Sequence, residues 1–434
     1  MSAAPILLQS GRGVALALIE SVLARKIPFD QALAENKALA ALAPRDRGFA
    51  RMLAATVLRR LGQIDAVLAK LMAKPLPERA GSARDVLRLG AAQLLFLETP
   101  PHAAVATSVE LAEAVGHPAL KGLVNAVLRR LSNEGKDILA SQDAARLNTP
   151  DWLWASWMKA YGEKTTRQIA QAHLSEAPLD FSVKNDAEAW AEKLQAKILP
   201  TGTLRREAGG SIDELPGYRE GAWWVQDAAA SLPARILGNV AGKSVADLCA
   251  APGGKAAQLA VMGGRVFAVD RSGERLKRVR ENLARLALTA ECIASDATSW
   301  RPSMPLRFVL LDAPCTATGA IRRNPDVPWL KTPLDVKRMT ELQDRLLSHA
   351  VTLLAPGGVL VYCTCSLETE EGPDRIAKLL KSGHPMSRRP IEAREIGGLS
   401  QCLSAEGDLR TLPCHLAELG GLDGFYAARL VRNP

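Results

Sequence analysis

The alternation of strand-like and helix-like segments beyond residue 231 constrains most strongly what this chain can fold into. Short apolar runs predict strands at 244–249, 265–270, 292–296, 308–312 and 358–365. Longer stretches between them, such as 274–286 and 335–354, have a helical pattern. This alternation predicts a parallel sheet that is covered by helices on both faces.

The polar features of this region follow the predicted strands, at the point where each strand ends. They are the loop 249–255, Asp270, Asp296, Cys315 and Cys365. In open α/β sheets, ligands bind beyond the carboxyl ends of the strands, where the connections reverse direction. We therefore expect these features to surround one site.

The loop after the first predicted strand favours a nucleoside cofactor. Its glycines allow close approach of a ligand to the backbone, and the helix N-terminus that follows adds positive potential. Asp270 stands where an acid bonds ribose hydroxyls, and Asp296 suits an adenine amino group. The pattern is neither GxGxxG nor GxxxxGK[ST], which disfavours a dinucleotide and a phosphate-cradling loop. The predicted contacts in the loop are Cys249, Ala250, Ala251, Pro252, Gly253, Gly254 and Lys255.

Two cysteines suggest covalent chemistry beside this cofactor. Cys315 lies in the run Asp-Ala-Pro-Cys-Thr at 312–316, and Cys365 lies in Thr-Cys-Ser at 364–366. A single cysteine is most often a small apolar residue that packs in the protein core. A pair of thiols at neighbouring strand ends instead favours nucleophilic catalysis, and methylation of cytosine at carbon 5 is one reaction that needs such a pair.

The first third of the chain is predicted to be a helical bundle with basic edges. Arg45 and Arg47 cluster at one helix start, and the whole chain carries a net charge of +9. A basic balance favours encounter with nucleic acid, although a solvated surface explains the charge equally well. Residues 141–230 read as a mixed connector with a strand at Leu179–Val183. The tryptophans of this connector are more consistent with a core than with base stacking.

Composition also limits the location and the cofactors. The longest apolar runs are far shorter than the roughly 18 to 20 residues that cross a bilayer. Residues 1–8 lack the features of a signal peptide, and the seven cysteines show no CxxC spacing. Free thiols predict a reducing, cytoplasmic location. The six histidines show no ligand spacing, so no metal is expected. We also expect a monomer.

Four motifs together resemble those of the RNA 5-methylcytosine methyltransferases of the RsmB (Fmu/Sun) type. They are Asp-Leu-Cys-Ala-Ala-Pro-Gly-Gly-Lys at 247–255, the region 312–326, Thr-Cys-Ser at 364–366 and Asp-Gly-Phe-Tyr at 423–426. The helical first third is similar to the NusB-like RNA-binding domain of that family, through 45–49 and 122–129. Two positions depart from the family pattern, because Asn324 stands where His is frequent and Gly372 where Asn is frequent.

The resemblance implies S-adenosyl-L-methionine as the cofactor and a role for each thiol. The loop would wrap the methionine part, and Asp312 would lie near the sulfonium and the target base. Cys365 would attack C6 of cytosine, and Cys315 would assist breakdown of the adduct. Asp312 is the candidate for a hydrogen bond to the N3 edge. DNA cytosine methyltransferases use a Pro-Cys cysteine as nucleophile, so the reverse assignment, with Cys315 attacking, stays open.

The sequence thus predicts a multidomain protein that methylates a cytosine in small-subunit (16S) ribosomal RNA through a covalent adduct. Its parts are an all-α NusB-like bundle at 1–140, a small α/β connector at 141–230 and an α/β Rossmann-like methyltransferase domain at 231–434. Arg322 and Arg323 are expected to grip the phosphates of the target, unless they form a solvated loop. The alternatives are a non-catalytic RNA-binding adaptor and a nicotinamide-dependent oxidoreductase, which the missing GxGxxG disfavours.

Overall fold

The computed structural model describes residues 7–77 and 80–434, and this part of the chain divides into two compact units. The first unit comprises the described residues up to Ser175 together with Ile321–Lys331, and the second comprises Glu176–Ala320 and Thr332–Pro434. Residues 1–6, which bear on the prediction of no signal peptide, lie outside the described residues. Within 7–77 and 80–434, no helix is long and apolar enough to cross a membrane.

The first part of the chain is helical, and strands begin at Leu179. The helices are α1 (Gly11–Leu23), α2 (Phe29–Glu35), α3 (Lys37–Ala41), α4 (Pro44–Arg59), α5 (Leu61–Leu71), α6 (Gly81–Leu95), α7 (Pro101–Ala114), α8 (Lys121–Ala140), α9 (Ala144–Leu147), α10 (Asp151–Ala172), α11 (Ala187–Leu194), α12 (Leu232–Ile236), α13 (Gly254–Val261), α14 (Gly273–Arg285), α15 (Val327–Leu330), α16 (Pro333–Thr352) and α17 (Pro373–Lys381). The strands are β1 (Leu179–Val183), β2 (Lys197–Ile198), β3 (Leu204–Arg206), β4 (Trp223–Val225), β5 (Ser244–Leu248), β6 (Arg265–Asp270), β7 (Glu291–Ala294), β8 (Leu306–Asp312), β9 (Leu354–Thr364), β10 (Met386–Arg388), β11 (Leu409–Thr411) and β12 (Phe425–Arg432).

The first unit is built around one apolar core shared by its amphipathic helices. Val124, Val127, Leu128 and Leu131 of α8 are almost completely buried, which confirms the helical face predicted there. Leu123, which was predicted on the same face, is 37% exposed. Burial of these aliphatic side chains supplies the main driving force for folding of the bundle.

The described units group some residues differently from the predicted domain boundaries. Residues 141–175 belong to the helical unit, because Asn148 Nδ2 donates to Gln63 Oε1 at 2.9 Å and Arg60 donates to the Leu174 carbonyl at 3.0 Å. The short segment Ile321–Lys331 also joins this unit. These contacts join residues that are far apart in the sequence, so the local pattern of apolar residues could not predict them.

Ile321–Lys331 is anchored to the first unit by two specific hydrogen bonds. Asp326 accepts from the Phe29 backbone amide at 2.9 Å, and the Trp329 indole donates to the Leu58 carbonyl at 2.8 Å. The chain therefore leaves the second unit after Ala320, contributes a short stretch to the first unit, and returns at Thr332.

The second unit contains a small antiparallel sheet and a large mixed sheet. The small sheet has the order β2-β3-β1-β4, and the large one has the order β10-β12-β9-β8-β5-β6-β7, with β11 on β12. Strands β5 to β9 are parallel to one another, as predicted. The antiparallel strands β10 to β12 were not predicted as strands. Two of them have only three residues, and β12 was recognised only through its first residues, as part of a motif.

The chain reverses direction between β5 and β8. From β5 it runs through β6 to β7 on one side, and it then returns to the other side of β5 with β8 and β9. This reversal is the topological switch point at which α/β sheets bind ligands. Asp312 of β8 lies opposite Cys363 of β9, so the segments that follow these two strands start side by side.

A buried ion pair ties the small sheet together. Arg205 and Asp180 form two hydrogen bonds of 2.7 Å, and both side chains are nearly inaccessible to solvent. We expect Arg205→Met to lower the free energy of unfolding by about 3 to 5 kcal/mol, because Asp180 would stay buried without its cation. Urea denaturation measures this effect. Arg206→Met, at the half-buried neighbouring position, should change stability by less than about 0.5 kcal/mol, and equal effects of the two substitutions would contradict the prediction.

Candidate functional site

The loop after β5 is shaped for close approach of a ligand. Gly253, directly before α13, has a φ of +103°, in the left-handed region that favours glycine. A Cβ atom at this position would lie 3.1 Å from Val279 Cγ1. The Ala250 amide donates to the Val269 carbonyl at 3.0 Å and the Gly253 amide to the Ala250 carbonyl at 2.8 Å. Backbone contacts thus hold the predicted cofactor loop at the carboxyl ends of β5 and β6.

Asp270 fastens this loop to the end of β6. Its carboxylate is 2% exposed, and it accepts from the Ala251 amide at 3.2 Å and the Ser272 amide at 2.9 Å. Arg275 forms an ion pair of 3.3 Å with Asp270 and also donates to the Ala251 carbonyl. The structure therefore places Asp270 in direct contact with the predicted cofactor loop.

Asp296 is exposed near the end of β7 and organises its own turn. Its Oδ1 atom accepts from the Thr298 amide at 2.8 Å and from the Thr298 hydroxyl at 2.7 Å. The hydrogen bond from the Thr298 amide, followed by that from its hydroxyl, lowers the pKa of Asp296. This carboxylate is ionised at neutral pH and lies at the sheet edge where the sequence predicted an acid.

Three acidic side chains and one lysine meet below the loop. Lys255 Nζ lies 2.7 Å from Asp312 Oδ2 and 5.0 Å from the centre of the Phe425 ring. Burial alone would lower the pKa of Lys255, but Asp312, and to a smaller extent Asp247, raise it above its usual value. Lys255 is therefore an ammonium ion that compensates the charge of Asp312.

Asp247 is completely buried, and neither of its carboxyl oxygens has a hydrogen-bond partner in the described part of the chain. Burial, followed by the charge of Asp312, raises the pKa of Asp247 to about 8. An orphaned polar group of this kind marks a place where a ligand supplies the missing partner.

The two thiols lie together, as the sequence predicted. The sulfur atoms of Cys315 and Cys365 are 3.5 Å apart, and both residues are half-buried. The hydrogen bond with Cys365, followed by burial, raises the pKa of the Cys315 thiol well above its usual value. Cys315 therefore stays protonated at neutral pH.

Glycines of two other predicted motifs close around Cys365. The Gly319 amide donates to the Cys365 carbonyl at 2.9 Å, and the Gly424 amide donates to the Gly319 carbonyl at 2.8 Å. A Cβ atom on Gly319 would lie 1.9 Å from the Gly424 carbonyl oxygen, so only glycine fits. Three of the four motifs that carried the resemblance thus meet beside the pair of sulfur atoms.

Two other cysteines near the site are excluded as nucleophiles. Burial, followed by the charge of Asp312, raises the pKa of Cys249 to about 12. Cys363 is completely buried and donates to Asp312 at 3.4 Å. Its thiol pKa is raised well above the usual value by burial and by Asp312. Cys363 packs in the core as predicted, and it also contacts a site carboxylate.

A cleft of about 690 Å³ opens beside the loop within the second unit. This volume suits a nucleoside-sized ligand. One wall is formed by the loop residues Pro252–Lys255 and Asp312, and the other by side chains of the connector and of α14, which the sequence did not single out as site residues. These side chains are Ile212, Asp213, Tyr218, Trp224, Gln226, Asp227, Asn282 and Arg285. Cys315 and Cys365 are not part of the lining.

The tryptophan pair Trp223 and Trp224 is the sequence signal that could have indicated the connector side of the cleft. Trp223 is completely buried and Trp224 is 5% exposed, which fits the favoured interpretation of the tryptophans as core residues. Trp224 nevertheless lines the cleft, and its indole donates to Gln226 at 2.9 Å. Arg285 carried no local signal, because its guanidinium reaches the carbonyls of Tyr218 and Trp223 from a distant helix.

The basic residues predicted to contact RNA differ in exposure. Arg45 and Arg47 are exposed at the start of α4, and Arg47 also donates to the carbonyls of Ala40 and Leu42. Arg323 is half-buried. Arg322 is only 2% exposed inside the first unit, so its guanidinium is not available to a phosphate in this conformation. A contact between Arg322 and a phosphate, as the sequence predicted, would require this segment to rearrange.

Known proteins resemble this chain in both its helical and its methyltransferase regions. A family model for the 16S rRNA methyltransferases RsmB/F matches residues 234–431, and the NusB family model matches residues 9–133. The ribosomal RNA small subunit methyltransferase B of Vibrio cholerae is 38% identical over 408 residues, which cover 90% of each chain. The chain belongs to the RsmB/F family. This confirms the resemblance, and with it the fold class of a NusB-type helical domain and a methyltransferase domain.

Other relatives and solved structures agree with this membership. The enzyme of the same name from Sodalis glossinidius is 34% identical, over 93% of this chain and 95% of the relative. A methyltransferase homologue from Pyrococcus horikoshii is 28% identical with a TM-score of 0.53, covering 64% of this chain and 93% of that one. The crystal structure of PH0851 has a TM-score of 0.75 at 23% identity, covering 97% and 98% of the two chains, which supports the fold.

Proposed function

We propose that this RsmB/F protein methylates C5 of a cytosine in small-subunit ribosomal RNA, using S-adenosyl-L-methionine and a covalent cysteine adduct. The observation that carries the proposal is the pair of sulfur atoms, 3.5 Å apart, beyond the neighbouring strands β8 and β9. A single nucleophile needs one thiol. A second thiol that stays protonated beside it suits a reaction in which the first must later be expelled.

In this proposal Cys365 is the nucleophile and Cys315 assists its release. The Cys365 thiolate forms a bond to C6 of cytosine, which moves electron density to C5 and makes that carbon nucleophilic. After methylation, the C5 proton leaves to a base, the bond between sulfur and C6 breaks, and the thiolate is restored. Cys315 holds a proton next to the departing sulfur, because its pKa is raised through the hydrogen bond with Cys365 and by burial. General acid help of this kind typically contributes about 10² to 10⁴ in rate.

Asp312 is the proposed anchor for the base. Its Oδ2 atom lies 2.7 Å from the Lys255 ammonium, and this ion pair holds the carboxylate in place. An ionised carboxylate accepts a hydrogen bond from a protonated cytosine N3. Protonation of N3 draws electrons from the ring, which favours addition of the thiolate at C6.

The residues around the loop fit S-adenosyl-L-methionine. When bound, this cofactor supplies an electrophilic methyl group. Its sulfonium and ammonium groups are cationic, and the orphaned Asp247 carboxyl lies with Asp270 and Asp312 at the same edge of the sheet. The backbone of 249–255 would hold the methionine part, Asp270 the ribose and Asp296 the adenine. With its pKa raised to about 8, the Asp247 carboxyl is protonated at neutral pH and can donate a hydrogen bond to the cofactor. A cluster of acidic side chains at this edge also suits a cationic ligand better than a dinucleotide phosphate.

Cofactor affinity tests the role of Asp270. We expect Asp270→Asn to weaken binding of S-adenosyl-L-methionine by about 10- to 100-fold, because the amide loses charge-assisted hydrogen bonds to the loop and to the ribose. Isothermal titration calorimetry measures the change. Asp335→Asn, which removes a carboxylate at the start of the distant helix α16, is the control and should bind as the wild type does. An unchanged affinity for Asp270→Asn would contradict this assignment.

The ribosomal RNA partner, the location and the oligomeric state belong to the same proposal. Arg45 and Arg47 are the exposed candidates for phosphate contacts in the NusB-type domain, and Arg323 remains a weaker candidate. All seven cysteines are free thiols, which supports a reducing cytoplasm. We infer that the protein acts as a monomer. In residues 7–77 and 80–434, no group of three His, Cys, Asp or Glu side chains is placed to hold a metal ion.

The activity is tested with labelled S-adenosyl-L-methionine and two substrates, naked small-subunit RNA and partly assembled subunits, both taken from a strain that lacks the enzyme. We expect label in RNA from at least one substrate, and bisulfite sequencing should locate it at C5 of one cytosine. Binding of RNA without transfer to either substrate would instead indicate the non-catalytic adaptor. Label at a nitrogen or at ribose would contradict the cysteine chemistry.

A further inference from the structure

Each of the two thiols is followed by a hydroxyl residue that points to the same buried carboxylate. Thr316 follows Cys315, Ser366 follows Cys365, and both hydroxyls donate to Glu371 in the 3-10 turn Thr369–Glu371. Glu371 Oε1 accepts from the Thr316 amide at 2.9 Å, and Oε2 accepts from the Ser366 hydroxyl at 2.6 Å. The Thr316 hydroxyl also donates to Oε2. One carboxylate therefore holds the residues next to both sulfur atoms.

Further donors fix Glu371 from two other elements. The Gln343 amide of α16 donates to Glu371 Oε1 at 3.1 Å and to the Pro314 carbonyl at 2.8 Å. The Tyr362 hydroxyl of β9 donates to the Glu371 carbonyl at 2.7 Å. Glu371 is completely buried, and a side chain with this many donors has a single conformation. None of these contacts belongs to the cofactor loop or to the cleft.

We propose that Glu371 is a positioning residue that sets the geometry of both thiols through Thr316 and Ser366. This inference rests on the proposed function and deepens it, because it explains how two cysteines on different strands act as a unit. Thr316 and Ser366 are the two arms of this carboxylate clamp. The clamp explains why the hydroxyl residues in Pro-Cys-Thr and Thr-Cys-Ser follow their cysteines.

The charge of the clamp acts on the Cys315 thiol. The pKa of Cys315 is raised first by its hydrogen bond with Cys365, then by burial, and also by the charge of Glu371. Burial raises the pKa of Glu371 itself, and the hydrogen bonds from Ser366 and Thr316 oppose that rise. Other titratable and charged groups here include Tyr362, whose pKa is also raised, and Arg410, which donates to the Ser366 carbonyl at 2.6 Å. Glu368 and Tyr426 are also buried nearby. A thiol beside a buried anion resists deprotonation, so the clamp helps to keep Cys315 protonated.

Glu371→Gln tests the clamp, and Glu370→Gln is the matched control because Glu370 is the adjacent, exposed acid. Alkylation of Cys315 by iodoacetamide is followed against pH by peptide mass spectrometry, in the full chain without RNA. Removing a negative charge lowers a thiol pKa, so the Cys315 profile of Glu371→Gln should move down by about one pH unit. The profile of Glu370→Gln should match the wild type.

Methyl transfer provides the second readout. Gln has one acceptor oxygen where Glu371 has two, so it cannot accept from the Thr316 amide and from both hydroxyls at once. Glu371→Gln should therefore lower kcat by about 10²-fold, as expected for misplaced catalytic groups. KM for S-adenosyl-L-methionine should change by less than about three-fold, because Glu371 contacts neither the cofactor loop nor the cleft and the substitution leaves cofactor binding unchanged. Glu370→Gln should retain wild-type kcat.

Single-arm variants keep the test valid if Glu371→Gln fails to fold. Thr316→Val and Ser366→Ala each remove one hydroxyl, and each should lower kcat about ten-fold, with a non-additive double variant because both act through one carboxylate. If Glu371→Gln shifts the alkylation profile but the wild-type protein transfers no methyl group to RNA, the clamp is upheld and the proposed function is overturned. Identical profiles and identical kcat for Glu371→Gln, Glu370→Gln and the wild type would overturn the clamp, even if the enzyme methylates RNA.

Discussion

Replacing Cys365 by alanine is expected to reduce methyl transfer to RNA by at least about 10³-fold, the scale of losing an essential nucleophile. Without this sulfur no bond to C6 forms, and C5 of an aromatic, electron-poor ring does not attack a methyl donor. The variant should still bind S-adenosyl-L-methionine, because the cofactor loop contacts Asp270 and not Cys365. Initial rates with labelled cofactor and calorimetric binding measure the two properties separately.

Cys292→Ala is the control for this substitution. Cys292 is a half-buried cysteine on β7, on the other side of β5 from the thiol pair, so its loss tests cysteine removal without touching the site. The control should retain rates close to those of the wild type. Substantial methylation by Cys365→Ala, at more than about a tenth of the wild-type rate, would be incompatible with this sulfur as the nucleophile.

Replacing Cys315 by alanine should stop the reaction at a later stage. Cys365 can still add to C6, but the protonated thiol 3.5 Å away is missing when the adduct must break down. We expect turnover to fall by about 10²- to 10³-fold and a covalent complex of protein and RNA to accumulate. Denaturing gels show this complex as a slowly migrating band that is absent for Cys365→Ala and for the double variant.

The opposite pattern would reverse the roles. If Cys315→Ala formed no covalent complex while Cys365→Ala formed one, the Pro-Cys cysteine would be the nucleophile, as in DNA cytosine methyltransferases. The buried charge of Glu371 beside Thr316 argues against that order, because it disfavours a thiolate at Cys315. The two variants therefore show which cysteine is the nucleophile. They also test whether the Glu371 charge keeps Cys315 from acting as one.

Much of the catalytic fold follows from local patterns of residues. The predicted strands at Leu179–Val183 and Arg265–Asp270 agree with β1 and β6 residue by residue. Both are short apolar or alternating runs bounded by polar residues, so their identity depends little on distant contacts. Because strand ends in a parallel sheet share one edge, the position of Cys315 beside Cys365 could also be predicted.

Features that depend on distant partners could not be predicted in this way. The burial of Arg322 and the grouping of 141–175 with the helical unit result from contacts between residues far apart in the chain. Glu371 lay in a run of acids that resembles an exposed turn, and only the fold turns its carboxylate towards Thr316 and Ser366. Arg285 and Gln226 likewise line the cleft only because the connector folds over α14.

Trapping the adduct is the most direct test of whether Cys365 forms a bond to C6 of cytosine. RNA in which 5-fluorocytidine replaces cytidine is incubated with the wild-type enzyme and S-adenosyl-L-methionine, and the protein is digested for mass spectrometry. Fluorine at C5 cannot leave as a proton does, so the bond between sulfur and C6 persists. We expect one RNA-linked peptide, with the methylated fluorocytidine attached to Cys365. Attachment to Cys315, or full methylation of ordinary RNA with no linked peptide from the fluorinated RNA, would contradict it.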